Sequence, residues 1–261
     1  FLGFARNDKN KEWNYKLNMN NNHYTKNFKV WSSYCDSVNR LSPFMMQTLF
    51  EELADANAMM LEIDLPTLAK RDNAFWVVRR IKFEFKSVVK DHDDVILKTW
   101  PSALEVLKCF RSYQILRTDN EPAVNDVAEW VILDKDTRRL RKTDSIHYPD
   151  ILFITEKACE PTFKKFKDEF TEDDFVYEKT IRACDIDLSH HTNNTKYCMM
   201  VLDSFSVKDL ESMTIKEMEI HYEAESLEGD VLRIYRKKVD DEWHFAIKKS
   251  GKVVTYAYIK D

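Results

Sequence analysis

Apolar and polar residues alternate over many short stretches of this chain, and turn-forming residues separate the stretches. Phe75, Val77, Ile81, Phe83 and Phe85 share one face of the segment 75–85, with Arg79 the one exception, which predicts a half-buried strand. The same reading predicts strands over 94–100, 105–116, 124–134, 217–226, 229–238, 241–249 and 252–259. Asp119-Asn120-Glu121-Pro122, Asp240-Asp241 and Ser250-Gly251 mark turns between them. Two stretches carry helical spacing instead. Ser42 caps and Pro43 opens the first, which runs through Phe44, Met45, Leu49, Phe50 and Leu53 to Ala56. The second runs from about Asn193 to Asp203.

The elements occur in the same order twice. Cys35-Asp36, ahead of the first helix, aligns with Cys184-Asp185, ahead of the second, at an offset of 149. Asp94-Val95-Ile96-Leu97 aligns with Asp230-Val231-Leu232-Arg233 at an offset of 136, so the first copy carries 13 more residues in or after its helix. Letter identity between the copies is weak, and the repeat rests on element order. Strand, long helix, then four antiparallel strands, twice over, predicts an α+β chain of two tandem hot-dog domains, each a long helix wrapped by a curled antiparallel sheet. The expected boundaries are 1–145 for the N-terminal copy, 146–171 for a polar linker with scattered proline, and 172–261 for the C-terminal copy.

Composition narrows the function. Hydrophobic residues make up 44% of the 261 and charged residues 33%, as in an ordinary globular protein. Only three glycines are present, with no GxGxxG or GxxxxGK[ST] pattern, so nucleotide-phosphate chemistry has no support. Five cysteines without a CxxC pair fit a reducing, cytoplasmic setting better than a disulfide framework or a zinc site. A net charge of −5 argues against general nucleic-acid affinity. No apolar run is long enough to span a membrane and no signal peptide is evident. The Asn- and Lys-rich residues through about Asn22 read as a flexible lead.

The chemistry concentrates in Asp185-Ile186-Asp187-Leu188-Ser189-His190-His191-Thr192-Asn193-Asn194. Alternation puts Asp185, Asp187, Ser189 and His191 on one face of an extended segment. Asn193 and Asn194 then open a helix, whose unpaired N–H groups and positive end can polarise a carbonyl oxygen. A second piece, Met218 to Ser226, reads as a strand with Glu225 near its end. In the first copy Val38, Arg40 and Ser42 stand at the positions of Asp187, Ser189 and His191, and Val89-Lys90 at those of Glu225-Ser226. One copy therefore carries the polar set and the other lacks it. His190 and His191 point to opposite faces of an extended segment, so no metal site is expected. Cys184 and Cys198 are read as inert.

These residues resemble the plant and bacterial acyl-ACP thioesterase family over nearly the whole chain. The family motif D-x-N-x-H-x-N-N-x-x-Y reads here from Asp187 through Ser189, His191, Asn193 and Asn194 to Tyr197. Trp76-Val77-Val78-Arg79-Arg80, Lys98-Thr99-Trp100-Pro101-Ser102, Arg111-Ser112-Tyr113 and Glu129 through Arg139 match in order. Two positions depart: Ser189 replaces the motif asparagine, and Glu225-Ser226 replaces the Glu-Cys pair of the plant enzymes, which excludes a cysteine nucleophile there. The resemblance implies cofactor-free hydrolysis of fatty acyl-acyl carrier protein by water. It implies His191 or Glu225 as general base, Asp187 as an orienting group, and Ser189 and Ser226 in the catalytic set. It also implies an acyl chain housed by the N-terminal copy, where Phe44, Met45, Leu49, Phe50, Leu53 and Met60 otherwise read as core. An acidic carrier protein would dock on basic residues, of which Arg138, Arg139 and Arg141 form the expected patch. No nucleic acid or membrane insertion is expected; a homodimer is left open. The competing readings are an acyl-CoA thioesterase and a non-catalytic acyl-binding homologue.

Overall fold

The computed structural model describes residues 23–148 and 154–261. The first copy runs β1 (Tyr24–Lys29), α1 (Pro43–Met60), α2 (Leu65–Arg71), β2 (Ala74–Phe85), β3 (Asp94–Leu104), β4 (Cys109–Arg117), β5 (Pro122–Asp134) and a short β6 (Leu140–Arg141). The second runs β7 (Phe175–Thr180), α3 (Asn194–Leu202), α4 (Val207–Ser212), β8 (Glu217–Tyr222), β9 (Val231–Val239), β10 (Glu242–Lys249) and β11 (Lys252–Lys260). The strands form one sheet in the order β1-β3-β4-β5-β2-β8-β11-β10-β9-β7, with β6 on β5. The second half therefore mirrors the first about the antiparallel β2–β8 seam, where Ile81 faces Ile220 and Phe83 faces Met218.

One continuous core fills both copies. Leu49, Phe50 and Leu53 of α1 share it with Met200 and Val201 of α3 and with Ile81, Phe83 and Ile220 of the seam. Burying this apolar surface, rather than helix propensity, holds a helix as short as α3 in place. Caps set the helix starts. Asp64 Oδ1 accepts from Thr67 N at 3.1 Å ahead of α2, and Ser206 and Asp209 form a reciprocal capping box on α4. Both helices are too short for a periodic pattern, so the sequence reading passed over them.

Several boundaries differ from expectation for identifiable reasons. In β2 the pairing with β5 slips at Arg79, a β-bulge that inserts one residue. Ala74 and Val78 are buried ahead of the bulge, and Ile81 and Phe83 beyond it. The bulge reverses the phase of alternation, so Phe75 and Val77 do not share the face of Ile81 and Phe83. The expected strand 105–116 begins only at Cys109, because Glu105 N donates to Lys108 O across a turn. The expected strand 217–226 ends at Tyr222, which leaves Glu225 in a loop.

The lead through Asn22 lies outside the described residues, as does part of the linker. Residues 163–166 of the linker lie across the outer face of the seam. Phe166 stacks on Tyr256 at 5.3 Å and meets His221 edge-on at 4.9 Å, and Lys164 N donates to buried Glu219 at 2.8 Å. Among the described residues no helix is long and apolar enough to cross a membrane.

Candidate active site

Between β7 and α3 the chain makes a short 3-10 turn, Ala183–Asp185, and then a tight hairpin. Asp187 N donates to His191 O at 2.9 Å, and His190 at the tip adopts φ 63°. The expected extended segment is therefore folded back on itself. Asp187, Ser189 and His191 still converge, but through the turn rather than through alternation. Asp187 Oδ1 accepts from Ser189 N at 2.8 Å and from Ser189 Oγ at 2.6 Å. His191 Nδ1 lies 3.2 Å from Ser189 Oγ, and its Nε2 lies 3.0 Å from Glu225 Oε2. Arg138, in the turn between β5 and β6 of the other copy, pairs with Glu225 Oε1 and covers the Phe75 ring at 4.7 Å.

The hydrogen-bond chain constrains the protons. Ser189 has one hydroxyl proton, donated to Asp187, so its Oγ accepts from His191 Nδ1–H. His191 Nε2 is then the ring nitrogen that faces the Glu225 carboxyl group. Asp185 does not join this group. It is buried, where its Oδ2 accepts from Arg182 N at 2.9 Å and its Oδ1 pairs with Lys179 at 3.3 Å. Ser226 also turns away: it is fully buried, and its hydroxyl meets Tyr197 Oη and Thr192 Oγ1.

At the start of α3, Asn193 Oδ1 accepts from Thr195 N at 2.8 Å, and Asn193 N donates to Asp185 O at 2.8 Å. Asn194 N–H, at the first helical position, meets no acceptor among the described residues and is placed to meet an oxyanion. The Asn193 side chain also lies near Glu51 of α1, across the junction of the copies. Burial pushes the Glu51 carboxyl up to about 7, against the opposing pull of the Gln47 and Asn193 amides. Glu51 lines a narrow cavity of about 20 Å³ between α1 and strands β2, β4 and β5, with Gln47, Phe50, Phe83, Tyr113 and Asp126. The sequence reading missed Glu51, although Gln47, Glu51 and Asp55 form a polar stripe at i, i+4 spacing on an otherwise apolar helix.

The same hairpin occurs before α1, and it fixes the register between copies. Asp36 N donates to Arg40 O at 2.8 Å and Asn39 adopts φ 63°. Asp36 therefore corresponds to Asp187, 151 positions on, and not to Asp185. Leu41 N donates to Val89 O as Thr192 N donates to Ser226 O, an offset of 137. The expected offsets of 149 and 136 each miss, and the first copy is longer by 14 residues rather than 13. Val38, Arg40 and Ser42 stand where Ser189, His191 and Asn193 stand, and Val88 stands where Glu225 does. The Cys-Asp pairs matched by coincidence of letters.

Among the expected docking arginines, Arg138 is engaged by Glu225, and Arg141 donates to Asp72 O at 2.6 Å and Ser145 O at 2.8 Å. Arg139 is exposed, and no ion pair engages it among the described residues. Cys198 is buried, which pushes its thiol far above the usual range, while Cys184 is exposed.

With this geometry in hand, comparison with known proteins is decisive. Residues 21–147 match the model of the acyl-ACP thioesterase N-terminal domain, and residues 168–259 match that of the C-terminal domain. The chain belongs to the acyl-ACP thioesterase family. It is 27% identical over 174 residues to the chloroplastic palmitoyl-acyl carrier protein thioesterase of Gossypium hirsutum, covering 64% of this chain and 42% of that protein. It is 24% identical over 177 residues to the chloroplastic oleoyl-acyl carrier protein thioesterase of Coriandrum sativum, covering 64% of this chain and 48% of that protein. The match thus spans less than half the length of these relatives. Among solved structures, an acyl-ACP thioesterase from Bacteroides thetaiotaomicron superposes with a TM-score of 0.83 at 23% identity, covering 94% of this chain and 99% of that one. The 12:0-ACP thioesterase from Umbellularia californica superposes with a TM-score of 0.79 at 20% identity, covering 92% and 96%. The fold of this family, two hot-dog units, is the expected one.

Proposed function

We propose that the chain hydrolyses the thioester of fatty acyl-acyl carrier protein, releasing free fatty acid and the carrier thiol. The observation that carries this reading is the chain Asp187–Ser189–His191–Glu225 beside the N-terminus of α3, next to Glu51 and the cavity under α1. In the proposed reaction the His191–Glu225 pair removes a proton from water, and the water oxygen bonds to the thioester carbonyl carbon. Asn194 N–H meets the developing oxyanion. The C–S bond then breaks, and the proton passes from the His191–Glu225 pair to the departing sulfur. Asp187 and Ser189 orient the imidazole, and Arg138 holds Glu225.

In this reading the first copy (1–145) houses the acyl chain, the second (172–261) supplies the chemistry, and 146–171 joins them in a cytoplasmic protein. At about 20 Å³ the cavity takes a group no larger than a water, so chain entry requires side chains of α1 such as Phe50 to move aside. Arg139 is the member of the basic cluster free to meet an acidic carrier. The test is fatty acid release from acyl-ACPs of graded chain length, beside the matching acyl-CoAs. Release confined to acyl-ACP supports the proposal; equal release from acyl-CoA shifts the substrate class. Tight acyl-ACP binding with the thioester intact replaces hydrolysis with a binding role.

A further inference from the structure

The cavity beneath α1 carries polar chemistry that an unsubstituted hydrocarbon chain cannot use. Asp126 of β5, which faces Phe83 of β2 and Tyr113 of β4 in the sheet register, is 1% exposed. Neither of its carboxyl oxygens meets a hydrogen-bond partner among the described residues. Gln47 of α1 is likewise 1% exposed. Its amide NH₂ is engaged by Tyr222 Oη at 2.9 Å and by Glu51 at 3.3 Å, while its Oε1 has no partner among the described residues. Both side chains line the cavity.

Burial drives the Asp126 carboxyl well above the usual carboxylate range. Burial thus favours its uncharged form, which offers one O–H donor and one carbonyl acceptor. Buried polar groups of this kind are normally paired, and a methylene chain pairs neither Asp126 nor Gln47. An alcohol hydroxyl, one donor with two acceptor lone pairs, complements both.

We propose that this cavity is a subsite for a hydroxyl group carried on the acyl chain, recognised by the Asp126 carboxyl and the Gln47 side-chain carbonyl. The substrate class narrows accordingly from fatty acyl to hydroxy-fatty acyl. The proposal rests on the acyl chain entering this cavity, as the functional reading above has it.

The test uses equilibrium binding of free fatty acids to the full chain, which does not depend on hydrolysis. Positional isomers of a hydroxy-fatty acid are compared with the unsubstituted acid of the same length. The native protein binds at least one hydroxy isomer about tenfold or more tighter than the unsubstituted acid, as a site built around a hydroxyl discriminates against its absence. Asp126→Leu removes the preference by weakening the hydroxy acid and strengthening the plain one. Asp126→Asn, which keeps a donor and an acceptor, retains part of it. The proposal is overturned if the native protein binds the plain acid as well as every isomer, or if Asp126→Leu leaves the ratio unchanged. Should the leucine variant fail to fold, the native panel and the asparagine variant still decide. A protein that prefers hydroxy acids but releases nothing from acyl-ACP would sink the hydrolase reading and leave the subsite standing.

Discussion

The two hairpins that precede α1 and α3 have the same backbone and different ends. Each opens on an aspartate whose N–H meets the carbonyl four residues on, and each turns at a residue with φ 63°, Asn39 or His190. In the first, Arg40 fills the fourth position. Its Nε meets Asp36 at 2.8 Å, and its Nη2 donates to Leu210 O at 2.7 Å near the end of α4 in the other copy. In the second, His191 fills that position and meets Glu225, where the first copy has Val88. An aspartate in this turn is thus structural in both copies and says little by itself about chemistry. What distinguishes the copies is the residue four places on and the loop that faces it. The exchange also runs across the seam: the first copy sends Arg40 into the second, and lends Arg138 and Glu51 to the second copy's site.

The largest test of this contrast is to remove the imidazole and its partner. His191→Ala and Glu225→Ala each lower kcat/KM for acyl-ACP by about 10²–10⁴-fold, the range for a lost general base. Retained activity in both variants would refute the assignment of chemistry to the second hairpin.

The Glu51 carboxyl gives the next largest effect, on stability against pH. Its folded-state pKa is raised from 4.5 to about 7, so the folded state holds a proton that the unfolded chain has lost. Stability from this group is intact below about pH 4.5 and falls as pH rises to about 7, by on the order of 3 kcal/mol. Glu51→Gln removes that decline, so the variant gains Tm over the native protein at pH 8 relative to pH 4.5. Parallel Tm curves for the two proteins would contradict it.

Arg40→Ala acts on the first hairpin and lowers stability by about 1–3 kcal/mol, because Asp36 and the α4 carbonyl oxygens lose their donor. Denaturant unfolding measures the loss, and kcat of the folded fraction stays close to native. A collapse of kcat at unchanged stability would mean that the first hairpin also takes part in turnover. The smallest effect is at Ser226. Losing its buried bonds in Ser226→Ala costs about 1 kcal/mol, read as a lower denaturation midpoint, with little change in kcat. A hundredfold fall in kcat would instead return Ser226 to the catalytic set.

Much of this was legible in the order of elements. The alternating strands, the Ser42-Pro43 and Asn193 helix starts and the asymmetry between copies pointed to the fold, and Asp187, Ser189, His191 and Glu225 do meet. The failures have physical causes. Alternation cannot register the residue that a bulge inserts at Arg79. Nor can it foresee the left-handed turn at His190, since only a residue forced to φ 63° converts an extended segment into a hairpin. Letter matching misaligned the copies by two residues before the helices and by one after them because turn geometry, not identity, is what the repeat shares.

The sequence by itself determined which elements form and which copy bears the polar set, because period, caps and residue chemistry are local properties. Only the tertiary structure decided who touches whom. It joined Arg138 to Glu225 across 87 positions, set Glu51 beside Asn193, and buried Asp126 with no hydrogen-bond partner among the described residues. Those outcomes depend on β2 pairing with β8 and on α1 packing against α3, long-range contacts whose desolvation changes what a carboxyl can do.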